Sequence, residues 1–389
     1  MRMKLYIMQN FIFQNPVKIL FGKGMTSKIS GLIPAKAKIL LLYGGGSVKK
    51  NGSYDQTVAA IGKRKFVEFS GIEPNPEYAT CMKAVKLIKD KKIDFIIALG
   101  GGSVIDACKF ISAAALYKGK DPWDILEKDL PVKEALPFGT VLTLPATGSE
   151  MNMNAVVSRR EICKKLSFAS EKVFPQFSVL DPTFTFTLPA RQTRNGVIDA
   201  FVHVMEQYLT RPANAEIQDR FSESIAQTLV KEGPIALKKP EDYDCRANIM
   251  FAATMALNHL ICCGVPQDWS SHLIGHEITA LYGLDHAETL AIVMPKVLEY
   301  KKAQKLDKLV QLGKRVFGIN EKSKSKAADA TILAMKKFFV KMGAGVELKS
   351  YKLPADAPEA IGKNIAKNYD RLGENADITP EDVVKIMKL

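Results

Sequence analysis

The chain has 389 residues, 47% of them hydrophobic and 25% charged, enough to bury sizeable cores in two or three domains and too apolar for a disordered polymer. The formal net charge is +14, but the lysines fall as scattered pairs such as Lys49-Lys50, Lys91-Lys92 and Lys336-Lys337. Without a dense basic block and interleaved aromatics this argues against nucleic-acid binding and leaves a field that attracts anionic small molecules.

The first predicted element is a hairpin, Phe11-Ile-Phe13 against Lys18–Phe21, turned by Gln14-Asn15-Pro16. Lys38–Tyr43 is an apolar strand ended by Gly44-Gly-Gly-Ser47. Phe66–Phe69 is a second strand, stopped by Gly71-Ile-Glu-Pro-Asn75-Pro76. A helix over Tyr78–Asp90 leads to a third strand, Asp94–Leu99, again ended by Gly100-Gly-Gly-Ser103. Continuously apolar strands alternating with helices predict a parallel sheet covered on both faces. After Val179-Leu180 no further strand is expected. Ile217, Phe221, Ile225 and Leu229 follow a helical period, and Thr379-Pro380-Glu381-Asp382 is a helix start with a hydroxyl N-cap and proline at N1. The prediction is an α/β dinucleotide-binding domain over residues 1–188 and an all-α domain over 189–389, divided near Asp181-Pro182 to Leu188-Pro189.

Two strand-Gly-Gly-Gly-Ser turns carry more information than one. Glycines let the backbone approach a pyrophosphate, and a following helix N-terminus offers free N–H donors. The second turn, Gly101, Gly102 and Ser103 before Asp106, departs from the common dinucleotide fingerprint because Ile105 stands at its third glycine. Ser103 and Asp106 also match an acidic capping box, so a structural reading stands beside the nucleotide one. After the first turn no carboxylate occurs before Asp55, while Lys49 and Lys50 follow closely. That environment suits a 2′-phosphate; it equally fits a glycine turn with two exposed lysines. Thr143-Leu-Pro-Ala-Thr147-Gly-Ser149-Glu150 is a third donor-rich loop.

Four of the five histidines lie in two windows of the second half: His203, four residues after Asp199, and His272, His276 and His286. An i,i+4 pair projects from one helix face, so Asp199 with His203, and His272 with His276, can each converge. One carboxylate with imidazoles and no thiolate suits a catalytic Zn²⁺ or Fe²⁺. Helix-face histidines satisfied by neighbours are the bland alternative, and His259, outside the windows, reads as structural. The six cysteines (81, 108, 163, 245, 262, 263) include no CxxC pair, and no 18-residue apolar run exists. The expectation is reduced thiols, no membrane span and a cytoplasmic location.

Together ILFGKG (19–24), YGGGSVKKNG (43–52), GIEPNP (71–76), GGGSVIDACKF (100–110), LPATGSE (144–150), NGVIDAFVHVMEQY (195–208) and the stretch from Gly264 to Ala287 resemble the iron-containing (group III) alcohol dehydrogenase family, nearest its NADPH-dependent aldehyde reductase and butanol dehydrogenase branch. The resemblance implies a Rossmann-like nucleotide domain, a helical metal domain and an active site in the cleft. It assigns the divalent ion, Fe²⁺ or Zn²⁺, to Asp199, His203, His272 and His286, and moves His276 to a proton-relay role. It places NADP(H) against Gly45, Gly46, Ser47, Asn75, Gly101, Gly102, Ser103, Asp106, Thr143, Thr147, Asn154 and Lys165, and implies a homodimer formed through the N-terminal domain. Met151 and Met153 depart from the smaller or polar residues common there. The implied reaction is reversible hydride transfer between NADP(H) and a small aldehyde or alcohol. The competing readings are a glycerol-type polyol dehydrogenase, a dehydroquinate-synthase-like lyase on the same fold, and a nucleotide-binding regulator without catalysis.

Overall fold

The computed structural model describes residues 7–162 and 164–389. Contacts divide the chain into two compact units: residues 14–189 with 238–254, and residues up to 13 with 190–237 and 255–389.

The first unit is built on strands β1 (Lys18–Phe21), β2 (Ile39–Tyr43), β3 (Phe66–Phe69), β4 (Phe95–Gly101) and β5 (Phe138–Leu144), an antiparallel pair β6 (Asn154–Arg159) and β7 (Lys164–Ala169), and β8 (Phe177–Leu180). Six of these form a parallel sheet in the order β1-β8-β5-β4-β2-β3. The helices are α1 (Ser53–Ile61), α2 (Tyr78–Lys91), α3 (Gly102–Leu116) and the short α4 (Asp124–Glu127). Strand β2 shows why its apolar run is unbroken. Leu40 and Leu42 pack in one core with Val85, Ile105 and Ile111, whereas Ile39, Leu41 and Tyr43 pack in another with Ile29, Ile61 and Val179. Both faces are therefore covered, and burying each such side chain contributes about 1.5–3 kcal/mol.

The opening hairpin is not formed. Lys18–Phe21 pairs in parallel with β8, and residues 7–17 contain no strand. The turn chemistry of Asn15 is used elsewhere: its amide nitrogen donates to the Met151 carbonyl (2.8 Å) and its oxygen accepts from the Val17 N–H (3.2 Å). The capping box at Ser103 and Asp106 is likewise absent. Gly101 is the N-cap of α3, with no side-chain cap, and Asp106 bonds to other elements.

The second unit contains α5 (Ala190–Tyr208), α6 (Glu216–Lys238), the end of α7 (Tyr243–Ala256), α8 (Ser270–Tyr282), α9 (His286–Tyr300), α10 (Leu306–Val316), α11 (Lys324–Lys341), α12 (Ala357–Asn368) and α13 (Pro380–Lys388). The expected all-helical second half is present. Ile274 and Ile278 of α8, Ile292 and Val293 of α9, Ile361 of α12 and Ile386 of α13 share one core, which fixes the two histidine-bearing helices against each other. Phe201 of α5 packs on Phe338 and Phe339 of α11 at ring-centroid distances of 5.2 and 5.9 Å. Helix α6 has the expected period but not the expected face: Ile217 and Phe221 are exposed, while Gln218, Ser222 and Glu223 are buried. Among the described residues no helix is long and apolar enough to cross a membrane.

Candidate functional site

In the second unit, Asp199 and His203 stand one turn apart on the buried face of α5. His272 lies in the first turn of α8, and His286 is the first residue of α9. The fold brings all four to one point. Asp199 Oδ1 lies 3.8 Å from His203 Nε2, 4.0 Å from His272 Nε2 and 3.6 Å from His286 Nε2. Ligand atoms of Asp199, His272 and His286 all fall within 4.8 Å of one another. Ligands about 2.1 Å from a common tetrahedral ion stand about 3.4 Å apart, so small side-chain adjustments close this set on a divalent metal. The donors, one carboxylate and imidazole nitrogens, fit Zn²⁺ or Fe²⁺ equally. His276, the residue that spacing alone pairs with His272, has its ring 6.5 Å from that of His272 and closer to that of His286, at 5.0 Å.

Several supporting residues lie within the sequence motifs, but their contacts are made through space and are not readable from spacing. Glu206, two turns beyond Asp199 on α5, accepts from the His272 backbone N–H at 3.0 Å and sits 3.2 Å from its Nδ1. A proton on Nδ1 facing that carboxylate leaves Nε2 as the lone-pair nitrogen directed at Asp199. Burial, and then the Asp268 carboxylate, push the Glu206 carboxyl up to about 8. Asp268, two residues before α8, accepts from the Ser270 N–H and hydroxyl. Burial works to raise its carboxyl too, but Lys305 (2.8 Å) outweighs that and holds it below the usual range. Lys305 also meets Glu374 (3.1 Å) and the Leu209 carbonyl (2.5 Å), forming a buried ionic knot at the start of α8. On the other side, Asn195 donates to Asp285 (2.7 Å) and Arg194 pairs with Glu288 (2.5 Å), tying the start of α5 to the start of α9. The Trp269 indole lies 5.1 Å from the His272 ring and 6.2 Å from that of His203.

In the first unit the donor loops follow β2, β4 and β5, which are neighbours in the sheet. The chain leaves β2 to one side for β3 and to the other for β4, the kind of switch point where nucleotides bind beyond the strand ends. Gly102 touches the third loop so closely that a methyl there would overlap the Thr147 side chain. With no side-chain cap, the first N–H groups of α3 are available to an anion. Gly46 and Asn75 both have positive φ, 92° and 55°. Asn75 donates its N–H to Ser103 Oγ (3.3 Å) and accepts from Lys165 Nζ (2.9 Å), so these three candidates form one cluster. Asp106 has both oxygens engaged, by Ser149 Oγ (2.6 Å) and the Val156 N–H (3.0 Å), and so splices the third loop to α3. Thr143 is buried in β5, and the Asn154 carbonyl accepts from the buried Lys109 ammonium (2.7 Å).

One carboxylate near the first turn is invisible to a scan along the loop because it arrives from the next strand. Glu68 of β3 accepts from the Tyr43 and Tyr54 hydroxyls, each at 2.6 Å, and lies 3.5 Å from Lys49 Nζ. The bond from Tyr43, then that from Tyr54, hold its carboxyl below the ordinary range. Its charge is thus already matched by partners from the chain.

A parallel-sheet nucleotide cradle with a helical unit presenting one aspartate and three histidines defines the class of metal- and nucleotide-dependent oxidoreductases. The chain belongs to the iron-containing alcohol dehydrogenase family: the family model of that name matches residues 16–182, and the model of the family's C-terminal region matches residues 193–389. It is 52% identical to the NADPH-dependent aldehyde reductase YqhD of Escherichia coli over 96% of this chain and 97% of that one. The crystal structure of E. coli YqhD superposes with a TM-score of 0.96, covering 98% of this chain and 99% of that one at 50% identity. It is also 39% identical to a probable NADH-dependent butanol dehydrogenase of Bacillus subtilis over 98% of this chain and 99% of the relative.

Proposed function

We propose that the chain is a metal-dependent aldehyde reductase and alcohol dehydrogenase that moves a hydride reversibly between NADP(H) and a small aldehyde or alcohol. The observation that carries this reading is Asp199 Oδ1 facing three imidazole nitrogens at 3.6–4.0 Å. Asp199, His203, His272 and His286 hold the ion. Gly45, Gly46, Ser47, Asn75, Gly101, Gly102, Ser103, Thr143, Thr147, Asn154 and Lys165 receive the nucleotide, with Asp106 holding their loops in register. Residues 14–189 with 238–254 then serve the nucleotide, in place of the continuous 1–188 expected from sequence, and residues up to 13 with 190–237 and 255–389 serve the metal and substrate.

When bound, the ion supplies Lewis acidity toward a carbonyl oxygen and the nicotinamide supplies the hydride. The chain's own part is positional and protic. The N–H groups opening α3 neutralise the pyrophosphate, and Gly102 leaves room for it. Glu206 keeps His272 in one tautomer. His276 holds a proton on its imidazole for the product oxygen. NADPH is preferred because no unengaged carboxylate stands beside the first glycine turn and Lys49 and Lys50 do. The protein works in the cytoplasm, as a homodimer.

The test is NADPH oxidation with butanal after chelation and reloading with Fe²⁺ or Zn²⁺, with NADH in parallel. Asp199→Ala and His272→Ala should lose bound metal and nearly all turnover while still binding NADPH, whereas His276→Ala should keep metal and lose rate. Full metal content and rate in either of the first two variants would refute the ligand assignment. A wild-type preference for NADH would refute the nucleotide assignment.

A further inference from the structure

Cys262 and Cys263 occupy a turn between α7 and α8 that the hydride-transfer reading does not use. Side chains of consecutive residues ordinarily diverge. Here both thiols aim at one atom: Cys262 Sγ lies 3.3 Å and Cys263 Sγ 3.1 Å from the His259 carbonyl oxygen. The two sulfurs are therefore no farther apart than two hydrogen bonds laid end to end. The backbone around them is pinned. His259 and Gly264 bracket the turn with φ of 70° and 71°, Gln218 Nε2 donates to the Cys263 carbonyl (2.7 Å), and the Gln9 N–H donates to that of Gly264 (2.9 Å). Cys262 is half-buried and reachable, with Cys263 buried beside it.

We propose that Cys262 and Cys263 form a chelating dithiol for trivalent thiophilic metalloids, a binding site separate from the metal and nucleotide sites. The chemistry of the pair selects this ligand class over an oxidant. Adjacent cysteines close a disulfide only with strain. Burial pushes the Cys262 thiol up to about 11 and raises that of Cys263, so the thiolate that a peroxide requires is scarce. A trivalent arsenic oxide needs no preformed thiolate, because its own oxygen takes both thiol protons. With phenylarsine oxide, two arsenic–sulfur bonds form, the arsenic–oxygen double bond breaks, the oxygen leaves as one water carrying both protons, and arsenic stays trivalent. Chelation draws both sulfurs off the His259 carbonyl. The turn runs through Val265, Pro266 and Gln267 into Asp268, which accepts from the first N–H of α8, and Trp269, which packs on His272.

The experiment treats the full, metal-loaded protein with one equivalent of phenylarsine oxide and reads intact mass and remaining thiols. The expected result is one phenylarsenic per chain, two thiols lost, and release by a small dithiol but not by a monothiol. Cys262→Ser and Cys263→Ser should each weaken retention by roughly 10²-fold or more, since a second tethered ligand contributes that order of avidity. Both variants should keep wild-type turnover before treatment, which shows that they fold. Undiminished retention in either variant, or loss of a single thiol per adduct, would overturn the proposal. Capture is read without turnover, so it stands or falls apart from the hydride-transfer reading.

Discussion

Glu206 is the side chain placed to set which ring nitrogen of His272 carries the proton. Its Oε1 faces both the backbone N–H and Nδ1 of His272, at 3.0 and 3.2 Å. Removing such a partner of a ligating imidazole typically costs 10–100-fold in metal affinity. Glu206→Ala should therefore weaken Zn²⁺ retention about 10–100-fold in a chelator competition, and Glu206→Gln, which can still accept through its amide oxygen, should weaken it less. Equal retention in Glu206→Ala and wild type would remove Glu206 from this role. At this scale the sequence was readable where chemistry and spacing coincide, as at Asp199 and His203. It was not readable where residues meet through space. Spacing alone joins His272 to His276, yet the ring of His276 sits closer to that of His286, and nothing local announces that Asn195 reaches Asp285. Glu68 was missed for the same reason, because strand register rather than sequence distance sets it beside Lys49.

Helix α3 and the strand before it were legible as an element because both faces of β4 are apolar and the glycines stop the strand abruptly. What could not be read was how tightly the next loop closes on the helix start. A methyl at Gly102 would collide with the Thr147 side chain, so the helix start and the third loop could not keep their present approach. Gly102→Ala should raise the Kd for NADPH by about tenfold, equivalent to about 1.4 kcal/mol, while metal content is unchanged. Fluorescence titration of NADPH with elemental analysis checks both halves, and unaltered affinity would show that this contact is incidental. The β6–β7 pair escaped prediction because its strands are largely polar and only partly covered; Val157 and Phe168 are among the few side chains it buries. Helix α13 shows the opposite case. Its Thr379–Asp382 capping box is reciprocal, with the Thr379 N–H donating to Asp382 at 3.1 Å and the Asp382 N–H to Thr379 Oγ at 3.3 Å, and such local chemistry is written in four consecutive letters.

Across the molecule the apolar residues left on the surface are not evenly spread. Ile12 is 97% exposed, and Ile7, Phe11 and Phe13 of the same segment are exposed with it, as are Ile217 and Phe221 of α6 in the same unit. Met8, against Gln218 of α6, links the two groups. Exposed apolar groups of this kind are what a self-association surface is built from, and the dimer proposed above is expected to use them. Light scattering should give about twice 42.9 kDa for the wild type. Phe11→Glu with Ile12→Glu should shift the protein toward monomer without loss of helical signal. An unchanged dimer in the double variant would move the contact elsewhere. In sequence, Phe11–Phe13 reads as one strand of a hairpin. The segment instead runs beside Gly264, tied by the Gln9 N–H, with Ile12 left almost fully exposed.

The threading of the backbone limits how this protein can be recombined. The chain builds one unit with residues up to Phe13, the other with Gln14–Pro189, returns for Ala190–Leu237, crosses back for Lys238–Thr254 and then completes the first. The returning segment is bound in place: Phe251 packs edge-on against Phe21 at 5.7 Å, and Thr254 donates to the buried Glu150 at 2.5 Å. A chimaera spliced at Pro189 with a relative would seem to exchange a metal half for another. It would in fact import a foreign 238–254 segment into the sheet's unit, and residues 14–189 expressed alone would leave the Glu150 carboxyl without its Thr254 partner. A working chimaera is expected to take residues 14–189 and 238–254 from one parent.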